Sequence, residues 1–299
     1  MHSVLQTKLK SSRLGPLGLR FRSIVVATDY SAAGTTAVKL AARMAKQFHA
    51  RLCVLHAIMP ELYAANMAAL VPQLEPINLQ MAPETLHRHC EHVPDVRCVK
   101  HKEIVFFGSA TDGIQQVSDS EGADLLVLGS HGRHGLAKLA LGSIAEWAMR
   151  RLGYPVLVAG PMCDDPLRAI RSIVLATDLL EHALPAAAYA SSIAQEHNAR
   201  LTVMTVASKE EAETELDTVA QLHRILPSDC RDWCTLNFEV KSGEVSAAIL
   251  ECAQRRRANL VVLGAGHGPI LADHVPSTTL STVVRGAHCP VLVVPASCS

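Results

Sequence analysis

The residues whose types and spacing most clearly suggest a binding site directly follow an apolar run, Leu125–Leu128. Gly129-Ser130-His131-Gly132 comes next, then nine residues, then Gly142-Ser143. The apolar run predicts a buried strand, and the stretch from Ile144 to Arg151 predicts a helix. A glycine-containing loop between a strand and a helix offers backbone N–H groups, a hydroxyl and the positive helix end to one anion. We therefore expect a phosphate group to bind here.

Two well-known phosphate-binding motifs do not explain this loop. The Gly-Lys-Ser/Thr sequence that ends a P-loop is absent at the required spacing. The G-x-G-x-x-G fingerprint of dinucleotide-binding folds is absent from the first strand–helix unit. The loop therefore belongs to a different class of anion site.

The chain contains one unit twice. The segment Arg22–Asp29 recurs as Arg171–Asp178, 149 residues later. From Gly108 onward the offset is 135, and this offset pairs Gly129 with Gly264. The second copy is therefore 14 residues shorter between its second and third strands (149 − 135 = 14). Such a repeat predicts two domains of the same fold.

Composition limits the kinds of protein that fit. The 299 residues are enough for two domains that each bury a core. The 28 basic and 28 acidic residues balance, which gives no argument for nucleic acid or an anionic membrane as a partner. No apolar run is long enough to span a bilayer, and nine cysteines without a pairing pattern favour a reducing cytoplasm. We expect a flexible basic extension over residues 1–20, with a weak surface anchor as the alternative, a first domain over 21–162 and a second over 163–299.

Apolar strands alternate with helical stretches in each copy, and Gly34–His49 has apolar residues at helical spacing. This alternation predicts a parallel sheet covered by helices on both faces. Ligands then bind beyond the carboxyl ends of the strands, where strand order reverses, and Asp29, Ala57 and the Gly129 loop all follow such ends. In the first copy we expect strands at Ser23–Thr28, Arg51–Ala57, Val96–Val105, Leu125–Gly129 and Val156–Ala159.

Two segments carry a family resemblance. ADLLVLGSHGRHGLAKLALGSIAEWAMRRLGYPVLV resembles the C-terminal half of a universal stress protein domain, and SIVVATDYSAAGTTAVKLAARMA resembles its N-terminal half. The family's nucleotide signature, G-x2-G-x9-G-[S/T], is matched completely in the first copy. The resemblance covers about residues 20–160 and 169–296 and implies two tandem flavodoxin-like or Rossmann-like α/β domains. Each would have a five-stranded parallel sheet with helices on both faces. Domains of this family pair through their last strands, so Pro155–Ala159 and Pro290–Val294 are expected to form an internal pseudodimer.

The resemblance also implies a nucleotide site in the first copy. Asp29 would contact the ribose or a metal-bound phosphate, and Ala27, His56 and Ala57 would border the adenine. ATP is the expected ligand, with ADP or AMP as alternatives and Mg²⁺ accompanying the phosphates. The full expected set is Ala27, Thr28, Asp29, His56, Ala57, Gly129, His131, Gly132, Arg133, Gly142, Ser143 and Ile144.

Several of these residues have an ordinary structural alternative. Asp29 precedes a helix and can cap it, and Ser143 can cap its own helix instead of binding phosphate. His131 and Arg133 can reach a triphosphate or remain solvated loop residues. These alternatives stay open at the level of sequence.

The second copy departs from the nucleotide signature. At the equivalent positions Gly132 becomes His267, Gly142 becomes Ser277 and Ser143 becomes Thr278. If the Ser277 position needs a left-handed backbone, a non-glycine residue there costs about 1–2 kcal/mol. We expect one nucleotide per chain, bound in the first copy, and a structural role for the second.

A group of imidazole and thiol side chains lies where the first copy is longer. Imidazole and thiolate are common ligands of Zn²⁺. No established ligand spacing is present, and a partly exposed helix end before a strand is the interpretation that we favour. Any metal ligands would come from His87, His89, Cys90 and His92, with Cys98 and His101 nearby.

No residue set predicts catalysis. The loop lacks a P-loop lysine, no paired carboxylates are evident, and Asp29 alone is weak evidence for a general base. Proteins of this family are at most slow ATPases. We therefore expect a nucleotide-binding stress regulator that contacts an as yet unknown protein partner, with a homodimer as an open question. The alternatives are a ligand-free scaffold of the same fold and a slow ATP hydrolase.

Overall fold

The computed structural model describes residues 21–59, 79–130, 141–163, 165–180, 183–207, 215–228, 230–265 and 277–296. Within these residues, strands and helices alternate in both copies. The strands of the first copy are β1 (Ser23–Ala27), β2 (Arg51–Ile58), β3 (His101–Phe107), β4 (Leu125–Gly129) and β5 (Val156–Ala159). Its helices are α1 (Ala32–Phe48), α2 (Ala82–Glu91), α3 (Pro94–Arg97), α4 (Ala110–Glu121) and α5 (Ser143–Arg151).

The second copy repeats this pattern in its described residues. Its strands are β6 (Ser172–Ala176), β7 (Arg200–Ala207), β8 (Leu236–Ser242), β9 (Leu260–Ala265) and β10 (Val291–Pro295). Its helices are α6 (Leu184–His197), α7 (Glu215–Arg224), α8 (Cys230–Trp233), α9 (Val245–Arg255) and α10 (Ser277–Gly286). The α/β fold expected from the alternation is confirmed in both copies.

The strand order of the first copy is β3-β2-β1-β4-β5, and these neighbours are all parallel. The chain moves outward from β1 to β2 and β3, then returns to the other side of β1 at β4. Right-handed crossovers in opposite directions place α1 and α4 on opposite faces of the sheet. The contacts agree, because α1 packs against α3 while α4 packs against α5. The order of the second copy, β10-β9-β6-β7-β8, is equivalent.

The central strands are buried on both faces, and this explains their composition. Ile24, Val25 and Val26 of β1 are completely inaccessible to solvent, as are Leu125 and Leu126 of β4. A strand covered on both faces has no solvent side and needs no polar alternation. The continuous apolar runs of the sequence are therefore the central strands of each sheet.

One polar anchor recurs at the amino edge of both sheets. The Asp124 carboxylate, just before β4, accepts hydrogen bonds from the backbone N–H groups of Arg22 and Ser23 at 2.6 and 3.1 Å. In the second copy Asn259 Oδ1 accepts from the equivalent N–H groups at 2.9 and 3.1 Å. The anchor fixes the start of the first strand against the start of the fourth in each copy.

The third strand of the first copy was predicted to begin too early. Val96 lies in α3, and β3 begins at His101. Pro94 occupies the first turn of α3, where its fixed φ and missing N–H suit a helix start. Val96 is the buried residue of this short helix. Periodicity alone does not distinguish a buried apolar residue in a short helix from one in a strand.

Contacts divide the chain into two compact units. One comprises Phe21–Leu167 with Val284–Val291, and the other contains Arg168–Val283 with Leu292–Ser299. The pairing of the two copies through their last strands stays a prediction. No helix in the described ranges combines the length and the apolar character that crossing a bilayer requires.

Candidate functional site

The turn between β1 and α1 is held by side chains of the predicted site. The Tyr30 N–H donates to Thr28 Oγ1 at 3.1 Å, and the Ser31 N–H donates to Asp29 Oδ1 at 3.0 Å. Ser31 is the N-cap of α1, because its hydroxyl accepts from the Gly34 N–H at 3.0 Å. The same hydroxyl donates to Asp29 Oδ1 at 2.6 Å. Asp29 therefore supports the cap through Ser31, instead of capping α1 directly.

The middle residue of this turn, Tyr30, has a left-handed backbone with a φ of 65°. Such a conformation is uncommon for a residue with a side chain and persists where the surroundings fix it. The equivalent Leu179 of the second copy also has a φ of 65°. There the Leu179 N–H donates to Thr177 Oγ1 at 3.0 Å, and the Leu180 N–H donates to Asp178 Oδ1 at 3.1 Å. The turn is thus a property of the fold in both copies.

The end of β4 lies directly against the start of α1. A Cβ atom added to Gly129 would lie 2.7 Å from the carbonyl carbon and oxygen of Ala33. The next residue of α1, Gly34, is equally close to the turn between β1 and α1. A Cβ atom added to Gly34 would lie 2.7 Å from Asp29 Oδ1. Consecutive residues of α1 therefore hold the β1 and β4 ends of the site together, and Gly129 has a packing role.

The two ends of the predicted phosphate loop are joined by one backbone hydrogen bond. The Gly142 N–H donates to the Ser130 carbonyl oxygen at 2.6 Å, and Ser130 is buried. His131, Gly132 and Arg133 lie outside the described residues. The strand and helix that flank the loop are thus fixed to each other where the loop begins and ends.

Helix α5 begins beside this bond. Gly142 is its N-cap, and glycine has no side chain that could cap the first turn. Ser143 is the first helical residue and is exposed, so the alternative in which its hydroxyl caps α5 is wrong. Gly142 has a φ of −70° and a ψ of 144°, an extended conformation open to any residue. The expected left-handed penalty at the equivalent Ser277 therefore has no basis.

His56, on β2, contacts both the backbone at the end of β1 and the ring of Tyr30. Its Nδ1 lies 2.7 Å from the Thr28 carbonyl oxygen, and only 8% of the residue is exposed. A carbonyl only accepts, so Nδ1 carries the proton. The Tyr30 ring lies over the imidazole of His56 with centroids 4.2 Å apart, and His89 approaches Tyr30 from α2 at 5.0 Å. Burial, with the neighbouring His56 and His92, lowers the pKa of His89.

The strand order brings the predicted residues to one edge. The carboxyl ends of β2, β1 and β4 are neighbours, and the order reverses between β1 and β4. This reversal point is where ligands bind in open α/β sheets. Ala27, Ala57 and Ile144 are half-buried at this edge, at the ends of β1 and β2 and in the first turn of α5.

The predicted metal ligands are separated by the structure. Cys90 and His101 come together with Glu103, and their ligand atoms all lie within 4.8 Å of one another. His87 Nδ1 lies 3.2 Å from Glu103 Oε1. His92 instead turns back to its own helix, with Nδ1 2.6 Å from the Arg88 carbonyl oxygen. His89 faces Tyr30, and Cys98 is exposed. Burial, followed by the charge and hydrogen bond of Glu103, raises the pKa of Cys90 to about 12.

Sequence reasoning missed two residues of these groups. Tyr30 is one of them, because nothing in a sequence marks an aromatic residue with positive φ. Glu103 was also missed, and acidic residues are too common at protein surfaces for one of them to mark a site. Its alternation with His101 on one strand face, an i,i+2 pair, was the available signal.

The fold and this edge define a doubly wound α/β protein built as a tandem repeat. The model of the universal stress protein family matches residues 20–160 and again residues 169–295. The chain belongs to the universal stress protein family.

Three comparisons illustrate the similarity. A universal stress protein of Mycobacterium tuberculosis strain H37Rv is 30% identical over 140 residues, which cover 46% of this chain and 95% of that protein. The crystal structure of a universal stress protein from Archaeoglobus fulgidus is 18% identical, with a TM-score of 0.69 over 93% of this chain and all of that chain. A universal stress protein solved in complex with cAMP aligns with 44% of this chain and all of its own, at 22% identity and a TM-score of 0.35.

Proposed function

We propose that the first copy binds one adenine nucleotide, ATP with Mg²⁺, and that the nucleotide state regulates contacts with a protein partner in a cytoplasmic stress response. The observation that carries this proposal is the start of α5. Its N-cap, Gly142, has no side chain to occupy the first-turn N–H groups, and the helix begins at the edge where the strand order reverses. Uncapped N–H groups at a helix start attract an anion through hydrogen bonds and the helix dipole.

The turn between β1 and α1, which contains Asp29, would bind the parts of the nucleotide that the start of α5 does not. Asp29 is two residues after the half-buried Ala27 and is held rigidly by the two hydrogen bonds from Ser31. A fixed carboxylate at this point suits a ribose hydroxyl or the Mg²⁺ that accompanies the phosphates. Gly129, Gly132 and Gly142 with Ser143 and Ile144 would hold the phosphates. His131 and Arg133 would add positive charge, and Thr28 and His56 would support the adenine side.

The second copy has the same turn without the same loop. Asp178 is held by the Leu180 N–H at 3.1 Å, but the signature glycines are His267 and Ser277. The shared turn indicates that an aspartate here also serves the fold. The proposal therefore assigns one nucleotide to each chain and a structural role to the second copy.

Gly142 offers a test that separates binding from folding. Its extended backbone accepts a side chain, and Asn and Asp are both favoured N-cap residues. Gly142→Asn and Gly142→Asp add nearly the same volume, but only the aspartate places a negative charge at the proposed phosphate position. At an effective dielectric constant near 20, two charges about 4 Å apart repel by about 4 kcal/mol. Solvent screening at the edge reduces this value, and a tenfold loss of affinity corresponds to about 1.4 kcal/mol.

The measurement is titration calorimetry with ATP, ADP, AMP and cAMP in the presence of Mg²⁺. We expect about one ATP site per wild-type chain and at least about tenfold weaker binding to Gly142→Asp than to Gly142→Asn. Asp29→Ala should weaken binding, whereas its matched control Asp178→Ala should not. No binding to the wild type, two equal sites, or equal affinities of the two Gly142 variants would overturn the proposal. Mass spectrometry of the small molecules that copurify with the wild type identifies the natural ligand.

A further inference from the structure

A cluster of four potential metal ligands lies between α2 and β3. His87 and Cys90 are three residues apart on α2, and His101 and Glu103 are two residues apart on β3. Residues with these spacings share one face of a helix and one face of a strand. Because α2 packs against β3, the two faces meet. We propose that His87, Cys90, His101 and Glu103 bind one Zn²⁺ ion.

The histidine–carboxylate distances are close to those between two ligands of a tetrahedral ion. Two ligands that are each 2.0–2.1 Å from zinc at a tetrahedral angle lie about 3.3 Å apart. His101 Nε2 lies 3.1 Å from Glu103 Oε1, and His87 Nδ1 lies 3.2 and 3.3 Å from the two Glu103 oxygens. The Cys90 sulfur lies within 4.8 Å of the His101 and Glu103 atoms, and His87 joins these three residues through its contact with Glu103. Closing a set of four ligands therefore requires the side chains of Cys90 and His87 to move. A thiolate, two imidazoles and a carboxylate suit zinc better than the oxygen-binding Mg²⁺ or Ca²⁺.

The hydrogen bonding of His101 gives an independent reason for a cation. Its Nδ1 lies 3.1 Å from the Val99 carbonyl oxygen, which only accepts, so Nδ1 carries a proton. In the neutral ring, Nε2 then presents a lone pair to Glu103 Oε1, which also only accepts. A positive charge between the two atoms removes this conflict, either as a second proton on His101 or as a metal ion. A backbone carbonyl that orients the second nitrogen is the usual support for a metal-binding histidine.

The convergence of further groups favours the metal ion. A second proton on His101 would satisfy one pair of atoms, but Cys90 and His87 also direct their polar atoms to the same carboxylate. Cys90 is 1% exposed, so the ion would be shielded on that side, and four protein ligands would leave no open position. The ion would be structural, fixing α2 on β3 and thereby His89 against Tyr30.

The second copy provides an internal comparison. The positions that match His101 and Glu103 on β8 are Leu236 and Phe238. The ligand pair on the strand is therefore confined to the first copy, and we expect one ion per chain.

The test uses the untagged full-length chain, stripped with a chelator and titrated with Zn²⁺ and with Co²⁺. We expect one equivalent of Zn²⁺, and a Co²⁺ spectrum with strong tetrahedral bands and a thiolate-to-metal charge-transfer band. Cys90→Ser and His101→Gln should each weaken Zn²⁺ binding at least about tenfold. The matched controls, Cys98→Ser and His92→Gln, should bind like the wild type, because Cys98 is exposed and His92 contacts the Arg88 carbonyl oxygen.

The Co²⁺ spectrum of the wild type keeps the test informative if a variant fails to fold. Less than about a tenth of an equivalent of Zn²⁺, a Co²⁺ spectrum without the thiolate band, or unchanged affinity in both ligand variants would overturn the proposal. If the His101→Gln variant bound Zn²⁺ as tightly as the wild type, this would also indicate that an imidazolium, and not a metal ion, supplies the positive charge between His101 and Glu103.

Discussion

The close contact between β4 and α1 makes Gly129→Ala an informative substitution. The added Cβ would lie 2.7 Å from two backbone atoms of Ala33 and 3.1 Å from its Cβ. Ordinary contacts of this kind are about 3.5–4.0 Å, so the strand end and the helix start must separate by most of an ångström. Neither can move freely, because Gly129 pairs with Ala159 in the sheet and Ala33 lies in the first turn of a capped helix.

The expected cost follows from known effects of overpacking. Adding a methyl group to a packed contact costs about 1–3 kcal/mol. The loss of glycine flexibility in the unfolded chain returns about 0.4–1 kcal/mol. We therefore expect the free energy of unfolding to fall by about 1–2 kcal/mol, and Tm by a few degrees. Because Gly129 also begins the phosphate loop, ATP binding should weaken further than the loss of stability alone explains.

Gly153→Ala is the matched control. A Cβ at Gly153 meets no atom within 4 Å. The same chemical change there should leave stability unchanged or raise it slightly. Urea unfolding of both variants and the wild type measures the difference, followed by calorimetry with ATP. Equal stability of the two variants would show that the backbone contact between β4 and α1 does not limit the packing of this site.

Two further predictions concern a buried imidazole and two helix caps. Burial lowers the pKa of His197 to about 4, so this ring is neutral in the folded protein while its unfolded value is about 6.5. Stability should therefore be constant above about pH 6.5 and fall as the pH drops toward 4, by about 1 kcal/mol at pH 5 after allowing for partial exposure. His197→Gln should remove this slope in urea unfolding curves at pH 7 and 5, and an identical slope in the variant would contradict the assignment. Ser31→Ala and Ser109→Ala each remove an N-cap and should each cost about 1 kcal/mol. Only Ser31→Ala should also weaken ATP binding in calorimetry, since Asp29 loses a donor, and equal ATP affinities of the two variants would argue against a rigid Asp29 at the nucleotide.

The sequence predicts the central strands well because a single factor, burial on both faces, controls their composition. β4 runs from Leu125 to Gly129 as expected, since this burial selects an unbroken apolar run and the glycine ends it. The start of β3 was wrong because Val96 is apolar for a different reason, the packing of a short helix that begins at Pro94. Apolar composition reports burial, and it reports the element type only through periodicity over a longer stretch.

The site was less predictable because it depends on backbone conformation and on contacts distant in sequence. Tyr30 and Leu179 share a positive φ although neither is glycine, and the side chains that fix them belong to neighbouring residues. The group around Glu103 forms only when α2 folds against β3, so the sequence indicated its histidines and its cysteine but not Glu103. The spacing of residues within one helix or strand can be read from the sequence, whereas contacts between two elements are known only once the fold is known.

The hydrogen bond between the Ser130 carbonyl and the Gly142 N–H has a consequence for how this family can diversify. It joins the exit from a strand to the entry of a helix, so the intervening chain starts and finishes at nearly the same point. We therefore expect the register of the sheet to depend little on the residues between those points. We expect the scaffold to tolerate exchange of this segment, whereas nucleotide binding should depend on its glycines.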